Sequence, residues 1–323
     1  MTVVLNDPSW WPKINSNVFY SYWILAAGVV VVYDWALTLG QEIELIWTHR
    51  WSLMTVLYLI IRYIGIPYSV VYMLAFAPYI SLTDAVGNNM YYAINGTNVV
   101  VTAMLGVIMI ARLYTMYERS RMILIILVFI FLAVNIACGV VTAIALKYTI
   151  LEELIISGTY ICDLGYEGNV WLLNSLNWML YTVWEVLALC LSVWIAVKHF
   201  RDLRRLGPSR TRSTIGDCFR VLIKSHVLFF AGFVCVSCLE LAILSPELAT
   251  LTPGLVNSTS MGTQILVGVL PIFLGVQMFV LGPRLILSIR EYHAKLVANS
   301  DAETSMTSIV FQERVHVSTS STV

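Results

Sequence analysis

Apolar residues occupy seven long blocks of this chain, at roughly 17–39, 52–76, 92–114, 122–145, 170–196, 219–244 and 261–284. Each is long enough to cross a bilayer as an α-helix, which takes about 20 residues. The pattern predicts an all-α integral membrane bundle of seven transmembrane helices over residues 1–291, followed by a cytoplasmic tail, 292–323. From Ser300 onward the tail is rich in Ser and Thr and has no apolar period, the signature of disorder. The first block is too long for a signal peptide and no small-residue cleavage site follows it, so it is expected to remain as a span. The connection at 146–169 leaves room for a short helix lying over the bundle. Pro67 and Pro271 should kink the second and seventh spans. Gly268, Gly275 and Gly282 recur at heptad spacing in the seventh, which would let a neighbouring helix approach closely. Glycine is also simply frequent in membrane helices, so the spacing has a plainer explanation.

Composition sharpens the class. The chain is 59% hydrophobic and 12% charged, with a mean hydropathy of +0.80, where soluble domains carry about 25% charged residues. A net charge of zero gives no reason to expect nucleic acid as a partner. The few charges are unevenly placed. Of 19 lysines and arginines, all but Lys13, Lys147 and the in-span Arg62 fall on one side of the predicted topology. The positive-inside rule then puts the N-terminus outside and the C-terminus in the cytoplasm, with the plasma membrane preferred over an endomembrane. Eight basic residues between Lys198 and Lys224 would attract anionic inner-leaflet lipids; the plainer reading is that they only set topology. Asn257-Ser258-Thr259, on the outer side, is a candidate glycosylation site; Asn95-Gly96-Thr97 is a second sequon, inside the third span. The six cysteines suggest no disulfide framework, and Cys235-x-x-Cys238 reads as helix core. No cofactor or metal is implied.

Charged and amide side chains inside apolar spans are costly and mark pairing or function. Asp34 would lie about 9 Å above the inner end of the first span and Arg62 about 15 Å above that of the second, at ~1.5 Å per residue. An Asp34–Arg62 ion pair is therefore within reach, with Glu185 as the competing partner. Arg112 and Gln277 would extend this inner polar network. A network that only fixes helix order is the plainer reading; a conformational or proton-linked role is the sharper one. A second set lies in the outer half: Asn98, Asn135, Asn174, Asn177, Glu240 and Gln264, with Trp178 nearby. Polar groups converging between aromatic walls are what a small-molecule pocket needs, although Asn and Gln also join helices as ordinary hydrogen-bonding glue.

Catalytic motifs are missing. The sequence has no G-x-S-x-G, P-loop or H-E-x-x-H, and its five histidines form no ligand set. A non-enzyme is expected.

Several short motifs carry a resemblance. Tyr33-Asp34, Leu37-Thr38, Glu42, Ile46-Trp47, Trp51-Ser52, Leu57-Tyr58 and Arg62-Tyr63 resemble the N-terminal signature of a large family of fungal, mainly basidiomycete, membrane proteins. That signature defines a domain of unknown function, here at about 22–66. Ala111-Arg112-Leu113-Tyr114 through Arg121, and Gly282-Pro283-Arg284 through Asp301, are similar to two further family blocks. Met54-Thr55 departs from the pattern, since many members have a basic residue there. The resemblance implies a multi-span protein and no particular activity.

Topology and the two polar sets point to a receptor-like protein with an outer small-molecule pocket, an inner switch layer and a cytoplasmic signalling partner. Receptor motifs are only partly present: Arg112 has no acidic residue before it, and the seventh span has no N-P-x-x-Y. A small-solute or proton-linked transporter or channel is the alternative, and a structural scaffold the next.

Overall fold

The computed structural model describes residues 3–5, 10–48, 51–78, 80–81, 83–117, 121–156, 159–166, 170–205, 230–241 and 261–288, with single positions at 227, 290, 291 and 294. Asn257, the basic positions 210–224 and nearly all of the tail lie outside the described residues.

Strand β1 (Val3–Leu5) precedes α1 (Trp11–Glu42), whose last turn continues as a π-helix over Ile43–Trp47. Pro12 sits in the first turn of α1, where its missing N–H goes unused. Helix and π-turn together make a rod of 37 residues, about 55 Å at ~1.5 Å per residue. Ser52 caps α2 (Leu53–Ala75) reciprocally: its hydroxyl accepts from the Thr55 N–H at 3.3 Å, and its N–H donates to Thr55 Oγ1 at 3.3 Å. There follow α3 (Asp84–Met116), α4 (Arg121–Lys147), β2 (Thr149–Ile156), β3 (Thr159–Tyr166) and α5 (Val170–Arg205). Helix α6 is described over Phe230–Leu241. Helix α7 begins at Met261, passes through a π-helical stretch at Val276–Leu281, and continues to Ser288. Both Pro67 and Pro271 lie inside helices that continue past them.

Helices α1 to α5 and α7 are each long and apolar enough to cross a membrane. The protein is an integral, multi-pass helical bundle in a lipid bilayer. Of the block expected at 219–244, Phe230–Leu241 and the single position 227 are described as helix.

Helix α4 shows how the pattern meets its surroundings. Leu127, Phe131, Cys138 and Ala145 follow one another at helical spacing and are buried, while Met122, Ile125, Phe129 and Ile136 cover the opposite face. Phe129 is 74% exposed. An apolar outer face on an apolar helix fits hydrocarbon and would be untenable in water.

The expected short helix at 146–169 is replaced by a sheet. Strands β2 and β3 pair antiparallel with Ile156 opposite Thr159, and β1 adds to β2 in parallel with Val3 opposite Leu154. Thr149-Ile150 and Ile155-Ile156 favour extended backbone.

Glycine brings the helices together. A Cβ at Gly268 would run into the Trp23 ring of α1, and one at Gly282 would stand 2.5 Å from Leu105 Cδ2 of α3. Gly275 faces Val31 of α1 at ordinary contact distance, so the three heptad glycines serve two different neighbours. Phe131 of α4 lies over Gly106 of α3 and against Trp184 of α5, with 5.2 Å between ring centroids.

Candidate functional site

Two polar regions occupy the bundle. The first joins α1, α2 and α7. Asp34, Thr38 and Glu42 stand four residues apart on one face of α1, and all three are buried. Arg62 of α2 forms an ion pair with Glu42 through Nε and Oε2, although not in hydrogen-bond geometry. Its Nη2 donates to the Trp35 carbonyl at 2.7 Å, and its guanidinium lies over the Tyr58 ring. Glu42 is well supplied with donors: Trp47 Nε1 at 3.1 Å, Tyr63 Oη at 3.0 Å and Tyr58 Oη at 3.4 Å. Hydrogen bonds of this kind are what make a buried carboxylate tolerable.

Asp34 pairs instead with Arg284 of α7, whose Nε donates to Oδ1 at 2.6 Å. The anticipated Asp34–Arg62 pair therefore does not form, and Glu185 is not the alternative partner. The reason is the length of α1. Its helical face runs eight residues beyond Asp34, so Glu42 meets Arg62 first.

Arg290 completes this region. Its Nη1 donates to the Leu45 carbonyl at 3.1 Å, within the π-turn, and Nη2 reaches the Ser52 and Thr55 hydroxyls of the α2 cap. Burial lowers the Arg290 pKa from the ordinary arginine value. Arg112 of α3 donates to the Leu285 carbonyl at 3.2 Å, so it holds α7 by its backbone and does not join the acidic residues.

The second region is a cavity of about 270 Å³ in the middle of the bundle. Asn98, Asn174, Asn177 and Trp178 of the expected outer set line it, and so do Glu185 and Gln277 of the inner set. The inner and outer sets thus overlap in one chamber. Asn98 lies within reach of the Tyr68 hydroxyl, while its Oδ1 is buried without a hydrogen-bond partner. Thr142 Oγ1, Asn177 Oδ1 and Gln277 Oε1 are in the same condition. Glu185 accepts a short hydrogen bond from Ser237 of α6 and has no cationic partner among the described residues.

Three candidates stand apart from the chamber. Asn135 donates to the Phe131 carbonyl at 2.9 Å in its own helix. Glu240 lies near the Tyr20 and Tyr72 hydroxyls, which meet at 3.2 Å. Gln264 is half-buried near the start of α7. Asn95 of the second sequon is a cavity residue whose side chain bonds the Tyr91 carbonyl at 2.9 Å. Among the described residues no group of three or more His, Cys, Asp or Glu side chains could hold a metal.

Sequence reasoning missed Glu42, Arg284 and Arg290, which fell in the expected inner turn and at the end of the last span. The signal for Glu42 was the period: 34, 38 and 42 share a helix face.

Residues 22–67 match a family of unknown function (DUF6533). The matched segment carries Asp34, Glu42, Tyr58, Arg62 and Tyr63, so much of the first polar region lies within it. No curated protein and no solved structure matches the chain.

Proposed function

We propose that this is a seven-helix, receptor-like membrane protein that binds a small molecule in the central cavity and relays its presence along α7. The observation that carries the reading is the position of Gln277. It lines the cavity from the π-helical stretch of α7, and the same helix leads to Arg284 and Arg290, which hold α1 and the α1–α2 turn. A π-turn inside a transmembrane helix is a common mark of a functional position. A ligand that moved Gln277 would load both arginine contacts, which is the differential contact a two-state change requires.

Phe230–Leu241, taken as the middle of the sixth of seven spans, supports the count. Seven spans put the termini on opposite sides, with the N-terminus outside and the C-terminus in the cytoplasm. Two features support placing the termini at opposite ends: β1 pairs with the 149–166 hairpin, and Arg290 meets the α1–α2 turn near the other end; the positive-inside rule supplies the direction. The role is binding, with no catalysis.

Glu185, an acid in an intramembrane chamber, favours proton-linked transport as the second reading. Purified protein in liposomes separates the two. The receptor reading expects no proton or solute flux, together with a cavity ligand whose affinity changes when Arg284 is replaced by Ala. Flux abolished by Glu185→Gln would replace it with the transporter.

A further inference from the structure

The chamber's buried polar atoms that lack partners are all oxygens. Four of its oxygens, Asn98 Oδ1, Thr142 Oγ1, Asn177 Oδ1 and Gln277 Oε1, are buried and without hydrogen-bond partners, and Gln277 as a whole is 7% exposed. Glu185 adds a carboxylate that only Ser237 is seen to engage. Among the described lining residues there is no Lys, Arg or His. Buried acceptors left unmatched are costly, so a site built this way selects a ligand that brings donors. Asn and Gln can turn their amides and Thr can rotate its hydroxyl, whereas Glu185 supplies a carboxyl group for a cation to face.

The walls agree with the floor. Tyr68, Tyr91, Trp178 and Tyr181 are aromatic residues of the same lining. Ring faces attract cations, and more strongly where water is excluded. An anion would meet Glu185 with no compensating charge among the described lining residues. The volume, about 270 Å³, falls just below the ~300–1,000 Å³ of drug-sized pockets and suits a compact molecule.

We infer that the central cavity is a site for a small organic ammonium ion, its charged nitrogen against Glu185 and its N–H groups directed to the asparagine and Gln277 oxygens. This rests on the reading of the cavity as a ligand site and goes further by naming the charge and hydrogen-bonding sense of the ligand.

The test uses the full chain in lipid nanodiscs at neutral pH and three probes of one shape: phenethylamine, 2-phenylethanol and phenylacetate. Thermal melting against concentration gives an affinity for each, since a ligand of the native state raises Tm by mass action. The amine should stabilise the protein and bind at least about tenfold more tightly than the alcohol, with no stabilisation from the acid. Glu185→Gln should weaken the amine by at least about tenfold and leave the alcohol unchanged. Asn177→Leu should abolish both. If the alcohol or the acid matches the amine, or Glu185→Gln leaves the amine unaffected, the ammonium assignment is wrong. Probe binding that Asn177→Leu removes would still uphold the cavity as a ligand site in that case. If no probe shifts Tm, or every shift survives Asn177→Leu, both the assignment and the cavity reading fall.

Discussion

The guanidinium of Arg62 in α2 meets the carboxylate of Glu42 in α1 with both side chains sealed, at 1% and 0% exposure. Two unit charges are thus held between helices that otherwise carry Tyr58, Ile61 and Ile46 into the core. Such a pair is weak evidence for net stability, because desolvation opposes the Coulomb attraction. It is strong evidence that neither partner tolerates loss of the other.

The two residues should therefore behave as a unit. Glu42→Gln and Arg62→Met should each destabilise by about 3–5 kcal/mol, because each strands the opposite charge in the core. The double variant should recover much of that loss. Thermal melts of the four proteins in nanodiscs give the coupling; additive effects would show that the two charges do not interact.

The Asp34–Arg284 pair should behave asymmetrically. The Asp34 side chain is 5% exposed and that of Arg284 is 53% exposed. Arg284→Met leaves a carboxylate buried with no counter-charge, whereas Asp34→Asn leaves a half-exposed guanidinium that can turn toward headgroups or water. The first change should cost about 2–3 kcal/mol and the second about 1 kcal/mol or less. Melting of the two single variants checks the order, and equal losses would mean that Asp34 relaxes toward water as easily as Arg284 does.

These pairs show what could be read ahead of the fold. The class, a multi-pass helical membrane bundle, was legible because runs of apolar residues such as Met122–Ala145 have few alternatives in a bilayer. That Asn98, Asn177 and Trp178 line one chamber was only one of two readings, because interhelical glue calls for the same amides in the same spans. Partner choice was not legible. It depended on α1 continuing as a helix through Glu42 and then as a π-turn to Trp47, a shift of a few residues that no apolar count resolves. The sheet at 149–166 was hidden for a different reason: β1 is contributed by residues 3–5, so one of its three strands is remote in sequence.

Close helix approach supplies the next prediction. In Gly65→Leu the new side chain would enter the Phe279 ring, since a Cβ at Gly65 would already stand 2.9 Å from that ring. Phe279 has little room to retreat, because it packs on Tyr68 with 5.0 Å between centroids. Overpacking of this kind typically costs about 1–3 kcal/mol. Gly40→Leu makes the control, since nothing stands within 4 Å of its Cβ position. The Gly65 variant should melt well below the wild type and the Gly40 variant close to it; equal Tm values would show that α2 and α7 can separate without loss.

The last prediction concerns the cavity itself. A protein selected for stability alone would not keep Asn177 Oδ1 and Gln277 Oε1 buried and unpaired, because each unmatched acceptor costs about 1–3 kcal/mol. Replacing them by Leu removes the unmatched oxygen and keeps nearly the same volume. Asn177→Leu and Gln277→Leu should therefore raise the ligand-free Tm, by an amount corresponding to about 0.5–2 kcal/mol each, while ligand binding in the chamber is lost. Sites that exchange stability for binding behave in this way. If instead both leucine variants melt lower than the wild type, the amides are structural joints between α5, α7 and their neighbours, and the polar lining of the chamber exists to hold helices together.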